Sequence, residues 1–240
     1  LMRRMPDAWG GNAPVPVRKG QGSFAWSGRF PLAACGPPPF SCRKLPRFLL
    51  APDRHFCEHH FIMKPSEIRN VLEDHEVRPS KSLGQNFLTD ENVARWIVEQ
   101  LEIRPQDCVV EVGPGTGSLT EHAAPLCRKL VLVEFDSRLA EYQKERWAGD
   151  PHVEVHHADG ASWDPRGLFA EAPVKFLGNL PYSAGGAILQ NFLSRPSAVE
   201  RAVVMLQKEF IDRILATPDD DAFGLLSLRI QKNWILRALK

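Results

Sequence analysis

The pattern of apolar and polar positions changes character near residue 64. Residues 1–63 hold no sustained period of 3.6 or 2, and they carry Pro37-Pro38-Pro39 among repeated glycines and arginines. Such a segment cannot bury enough apolar surface to offset its ordering entropy. It is expected to be a disordered leader, or sequence outside the native reading frame, with Met63 standing where an initiator would. From residue 64 the pattern is regular and predicts one domain over 64–240. Ser66–His75 reads as a helix with Ser66 as N-cap, and Pro79–Leu88 as a polar arm. Asp90 opens a helix to about Leu101 whose Val93, Trp96, Ile97 and Leu101 share one face.

Strands and helices then alternate. Strands are predicted at Cys108–Val112, Leu130–Glu134, Val153–His157, Val174–Leu177 and Ala202–Leu206, with a sixth at Leu225–Trp234. Helices are predicted at Leu119–Leu126, Ser137–Trp147, Gly186–Leu193 and Glu209–Ala216. This order makes an α/β fold, an open parallel sheet with helices on both faces.

Composition narrows the class. No stretch approaches the roughly 20 apolar residues of a membrane span, so no membrane partner is expected. Five cysteines at irregular spacing suggest a reducing compartment without a disulfide framework. Cys57, His59 and His60 lack a full ligand set with recognisable spacing, so no metal is expected. The net charge of +1 hides an asymmetry. Residues 1–63 hold 9 Lys/Arg against 3 Asp/Glu, and residues 64–240 hold 21 against 26. Any RNA contact by the main domain must therefore use a local basic patch.

Four signals carry chemistry. Glu111-Val112-Gly113-Pro114-Gly115-Thr116-Gly117 follows a buried strand; glycines there allow a tight turn and close approach of backbone to a ligand. Glu134 ends the next strand, 21 residues after Gly113, where a carboxylate can accept hydrogen bonds from both hydroxyls of a ribose. Together they indicate an adenosine-containing cofactor without separating S-adenosylmethionine from NAD. Asp159, after the third strand, is placed to accept from an adenine amine at the carboxyl edge of the sheet. Asn179-Leu180-Pro181-Tyr182 ends the fourth strand and decides the class. The lone pair of an adenine N6 is delocalised into its ring. Hydrogen bonds from the two N6 protons to the Asn179 side-chain oxygen and the Leu180 carbonyl would favour a pyramidal, nucleophilic nitrogen. Pro181 fixes the backbone, and Tyr182 offers a flat face to an unstacked base.

With these motifs the chain resembles the adenine N6,N6-dimethyltransferases of small-subunit ribosomal RNA, over about residues 76 to 234. The resemblance is carried by Ser82-Leu83-Gly84-Gln85-Asn86-Phe87-Leu88, Glu111 to Gly117, Val133-Glu134-Phe135-Asp136, Asn179 to Tyr182, Met205-Leu206-Gln207-Lys208-Glu209, and Phe223-Gly224 with Leu226-Ser227. It implies a Rossmann-like methyltransferase sheet and S-adenosylmethionine as cofactor. Asn86 and Leu88 would contact that cofactor beside Gly113, Glu134, Asp159 and Asn179, with Asn179, Leu180, Pro181 and Tyr182 catalytic. It further implies dimethylation of adjacent adenines near the 3′ end of small-subunit rRNA in the 30S pre-ribosomal particle, by a cytoplasmic monomer needing no metal.

The chain departs from the family at Ser183-Ala184-Gly185-Gly186, which is looser than usual, and at Leu225, where arginine is frequent. Family members also continue beyond the point matching Lys240, through a final strand and a small basic helical domain. The sequence is thus expected to be incomplete, with strand edges left unpaired between the fifth and sixth strands. Alternatives are a large-subunit rRNA adenine methyltransferase of the macrolide-resistance type, a non-catalytic ribosome-assembly RNA binder, and an NAD-dependent oxidoreductase, which the glycine spacing disfavours.

Overall fold

The computed structural model describes residues 1–5, 88–181 and 183–239. The expected leader beyond residue 5, the expected helix Ser66–His75, the arm up to Phe87 with Asn86, and Tyr182 lie outside the described residues. Strand β1 is Met2–Arg4 and helix α1 is Glu91–Gln100. Then follow β2 (Cys108–Val112), α2 (Thr120–Ala123) with a 3₁₀ turn at Ala124–Leu126, β3 (Lys129–Glu134), α3 (Ser137–Arg146) and β4 (Val153–His157). A 3₁₀ segment at Pro165–Glu171 leads to β5 (Val174–Asn179), α4 (Gly185–Leu193), β6 (Val199–Met205), α5 (Lys208–Leu215), α6 (Leu225–Gln231) and β7 (Trp234–Leu236).

The sheet order is β4-β3-β2-β5-β6-β1-β7, with β4 through β6 parallel. β2 and β5 have neighbours on both sides, so their residues are apolar almost without interruption. The pleat still sorts them. Val110, Val112, Val131, Val133, Val174 and Phe176 pack with Leu189 and Phe192 of α4, Ile214 of α5 and Ile230 of α6. Val109, Leu130, Leu132 and Leu177 face the other way, toward Ile97 and Leu101 of α1, Ala123 of α2 and Trp147 after α3. Helices thus cover both faces, as expected. Both α1 and α3 start on an aspartate that caps two backbone amides: Asp90 accepts from Asn92 and Val93, Asp136 from Arg138 and Leu139.

Two expectations are corrected. Leu225–Trp234 is not a strand: Leu225–Gln231 forms α6, and only Trp234–Leu236 is extended. Ser227, Ile230 and Gln231 point inward while Leu225 and Leu228 are exposed, which is a helical period. The Ser227 hydroxyl accepts from the Gly224 amide at 3.1 Å and donates to the Arg213 carbonyl at 2.7 Å. Gln231 donates to the carbonyls of Ile214 and Ala216, both at 2.8 Å, locking α6 to the end of α5.

The second correction concerns the expected gap in the sheet. Residues 2–4 form β1, which runs antiparallel between β6 and β7 in the position expected to be empty. Met2 is 2% exposed and joins the core of the α4 face. Among the described residues, no helix is long and apolar enough to cross a membrane.

Candidate active site

The carboxyl ends of β2, β3, β4 and β5 meet around a cavity of about 280 Å³. The loop after β2 makes three left-handed turns, with φ of +71° at Gly113, +57° at Gly115 and +95° at Gly117. A side chain at any of the three would be strained. Gly113 also sits close to β5: a Cβ there would stand 3.6 Å from the Asn179 carbonyl oxygen.

Glu134, at the end of β3, holds the loop. One carboxylate oxygen accepts from the Gly115 amide and the other from the Asp136 amide, both at 2.9 Å. Its side chain is nearly buried, and burial raises its pKa above the usual carboxylate value, against the pull of these amides. From beneath, the fully buried Gln143 of α3 donates to the Gly115 carbonyl at 2.8 Å and accepts from the Trp147 indole at 3.0 Å.

Glu111 lies inside the wall. It is 1% exposed, and its carboxylate accepts from the Thr120 hydroxyl at 2.8 Å. Burial, outweighing that hydrogen bond, pushes its pKa up to about 8, and nearby Glu134 adds to the rise.

Asp159 stands just past β4, where one oxygen accepts from the Ala161 amide at 2.8 Å. The turn reading and the ligand reading of Asp159 are therefore compatible, since a carboxylate has acceptor capacity for both. Asn191 of α4 ties this loop down through the carbonyls of Gly160 (3.0 Å) and Trp163 (2.7 Å). A Cβ on Gly160 would meet Val112 at 2.6 Å, so this approach requires glycine.

Asn179 ends β5, and Leu180 and Pro181 follow it. The Leu180 amide donates to the Met205 carbonyl at 3.2 Å, its side chain is buried, and the Pro181 carbonyl accepts from the Gly185 amide at 2.9 Å. The peptide is thus anchored on both sides. Leu88 reaches the cavity from the arm, its carbonyl held by the Ser118 hydroxyl at 2.7 Å.

Leu88, Gly113, Glu134, Asp159, Asn179 and Pro181 all line this one cavity. Leu180 supports it from the core. Lys208 does not line it; it is exposed on α5 and pairs with Asp212 at 2.7 Å.

A family model described as ribosomal RNA adenine dimethylase matches residues 76–234. The chain belongs to the ribosomal RNA adenine dimethylase family. It is 39% identical over 174 residues to the ribosomal RNA small subunit methyltransferase A of Alkaliphilus metalliredigens, covering 71% of this chain and 61% of that protein. With the protein of that name from Enterococcus faecalis it shares 41% identity over 175 residues, covering 71% and 59%. The chain thus spans about three fifths of the length of these curated relatives. Among solved structures, a dimethyladenosine transferase from Plasmodium falciparum matches with a TM-score of 0.50 and 26% identity, over 61% of this chain and 52% of that one.

Within this dimethylase fold, sequence reasoning missed three contributors. Glu111 opens the glycine motif without a role of its own, although a carboxylate in an otherwise apolar strand signals a special environment. Asp136 lay in a quoted motif without a role, and it both caps α3 and lines the cavity. Gln143 carried no signal, since a glutamine in a polar helix reads as surface. The cavity wall holds four carboxylates, those of Glu111, Glu134, Asp136 and Asp159, and no Lys, Arg or His among the described residues.

Proposed function

We propose that this cavity binds S-adenosylmethionine and that the protein transfers methyl groups to N6 of adenines in small-subunit ribosomal RNA. The product would be N6,N6-dimethyladenosine, made on the 30S pre-ribosomal particle by a cytoplasmic monomer during ribosome biogenesis. The observation that carries this reading is the convergence of Gly113, Glu134, Asp159 and Asn179, from four strand ends, on one acidic cavity in a member of the dimethylase family. The names of the curated relatives support the choice of RNA.

The residues present suit the cofactor. Gly113 and Leu88 leave room for close approach; Glu134 keeps lone pairs for ribose hydroxyls beyond its two amide partners. Asp159 would accept from the adenine amine, with Asn86 completing the set from the arm. When bound, S-adenosylmethionine supplies an electrophilic methyl on a positively charged sulfur. Asn179 and the Leu180 carbonyl would accept the two N6 protons of the target base and aim its lone pair, with Pro181 fixing the peptide and Tyr182 stacking on the base. A peptide pinned at the Leu180 amide and the Pro181 carbonyl needs little reorganisation for this.

The test is transfer from labelled S-adenosylmethionine to methyl-deficient 30S subunits, followed by nucleoside analysis. Dimethyladenosine in the small-subunit RNA is the expected result; label confined to large-subunit RNA would overturn the choice of substrate. Asn179→Ala should lower the single-turnover rate at saturating cofactor by about 10²–10³-fold, the usual cost of removing one preorganised hydrogen bond at a reacting centre. An undiminished rate would remove Asn179 from the chemistry.

A further inference from the structure

Four carboxylates line the cavity, yet one of them is placed unlike the others. Glu134 is satisfied by two backbone amides, and Asp136 and Asp159 each accept from backbone amides next to them. Glu111 is sealed in the wall with the Thr120 hydroxyl of α2 as a partner. Glu134, at the end of β3, acts on it as a like charge. The neighbouring acid on α2, Glu121, is already neutralised by Arg146 at 2.6 Å. Asp136 and Asp159 approach from the ends of β3 and β4, and the β5 side contributes the neutral Asn179. No protein cation lines the space that Glu111 borders, among the described residues. A buried carboxylate in such a place stays protonated unless a positive charge arrives.

We propose that Glu111 is a specificity-determining residue that senses the charge of the occupant. A positive charge on the ligand's sulfur draws its proton off, a neutral thioether sulfur leaves it in place, and the cavity therefore prefers the sulfonium methyl donor over the thioether left after transfer. This inference rests on the cofactor reading above. The balance is simple: the protonated acid and the cationic donor give a carboxylate paired with the donor, and one proton passes to the buffer.

The direction with pH follows. Burial holds the Glu111 acid protonated up to about pH 8 in the ligand-free protein. A bound cation lowers that pKa, so between the lowered value and about 8 the complex holds fewer protons than the free protein. Donor affinity then rises with pH by up to about tenfold per unit and levels off above the free-protein value. The product, lacking the charge on sulfur, gains no such dependence through Glu111.

The experiment is calorimetric titration of the 240-residue chain with S-adenosylmethionine and with S-adenosylhomocysteine at pH 6.5, 7.5 and 8.5, in two buffers of different ionisation heat. The expected result is a donor-to-product affinity ratio that climbs up to about tenfold per unit below pH 8, with proton release on donor binding exceeding that on product binding. Glu111→Gln, a mimic of the neutral acid, should flatten that climb; because it retains the titrations of the ligands' own amines, it isolates the part due to Glu111. Equal pH slopes for the two ligands, or a climb that survives Glu111→Gln, would overturn the proposal. If the variant fails to fold, the excess proton release in the native chain decides alone. A folded native chain that binds neither nucleoside overturns the cofactor reading itself, a result distinct from binding without the pH difference.

Discussion

At the residue scale, Glu111 also sets a stability prediction. Its folded pKa of about 8 lies above its ordinary value of 4.5 because burial disfavours the charged form. Between these values the unfolded chain has lost the proton and the folded one keeps it, so stability falls as pH rises through that window. The slope approaches about 1.4 kcal/mol per pH unit for one group. Glu111→Gln removes this loss. The variant should melt progressively higher relative to the native chain from pH 5 to pH 8, read by ligand-free thermal denaturation across that range. A constant gap would show that folding does not raise the Glu111 pKa. The same residue marks the limit of reading a site from sequence. Gly113, Glu134, Asp159 and Asn179 were legible because strand ends in an open sheet converge, and spacing finds strand ends. Glu111 and Gln143 were not, because their importance depends on what closes over them. A glutamate inside a strand and a glutamine inside a helix have no local signature of burial, and only the packing of Thr120, Gly115 and Trp147 reveals it.

At the element scale, the parallel strands were readable from apolar runs bounded by turns, and α1 from the aspartate that opens it, Asp90. The misreading of Leu225–Gln231 has a specific cause. Leu-Leu-Ser-Leu-Arg-Ile is apolar enough for a buried strand, and a run this short does not separate periods of 2 and 3.6. The deciding contacts are long-range side-chain bonds to α5. If those bonds hold α6 in place, Gln231→Leu should destabilise the fold by about 1–3 kcal/mol, the cost of leaving buried carbonyls unsatisfied, despite a gain in apolar character. Urea denaturation measures it as a lower midpoint at unchanged slope. An equal or higher midpoint would mean that packing of Ile230 alone suffices.

At the scale of the whole molecule, the antiparallel position between β6 and β7 decides whether the sheet is continuous. Strand β1 supplies only three residues there, yet it pairs on both sides and buries Met2 against the α4 face. The flanking chain adds to it: the Met5 amide donates to the Asn233 carbonyl at 3.0 Å, and Arg4 donates to the Ser197 carbonyl at 2.8 Å. None of this was legible in a proline- and glycine-rich stretch, because pairing with strands some 200 residues away leaves no local period. Removing residues 1–5 would strip partners from two strand edges at once. Exposed edges offer unpaired amides and carbonyls to other chains, so the shortened protein should both melt lower and self-associate. Met2→Ala separates the two effects, since it keeps the backbone pairing and removes only the buried side chain. That change should cost about 2–5 kcal/mol while the protein stays at its native association state, whereas the deletion should add higher-mass species in light scattering after size exclusion. A deletion that changes neither melting nor mass would mean that β6 and β7 are stable without β1 between them, and that the sheet's continuity does not depend on residues 1–5.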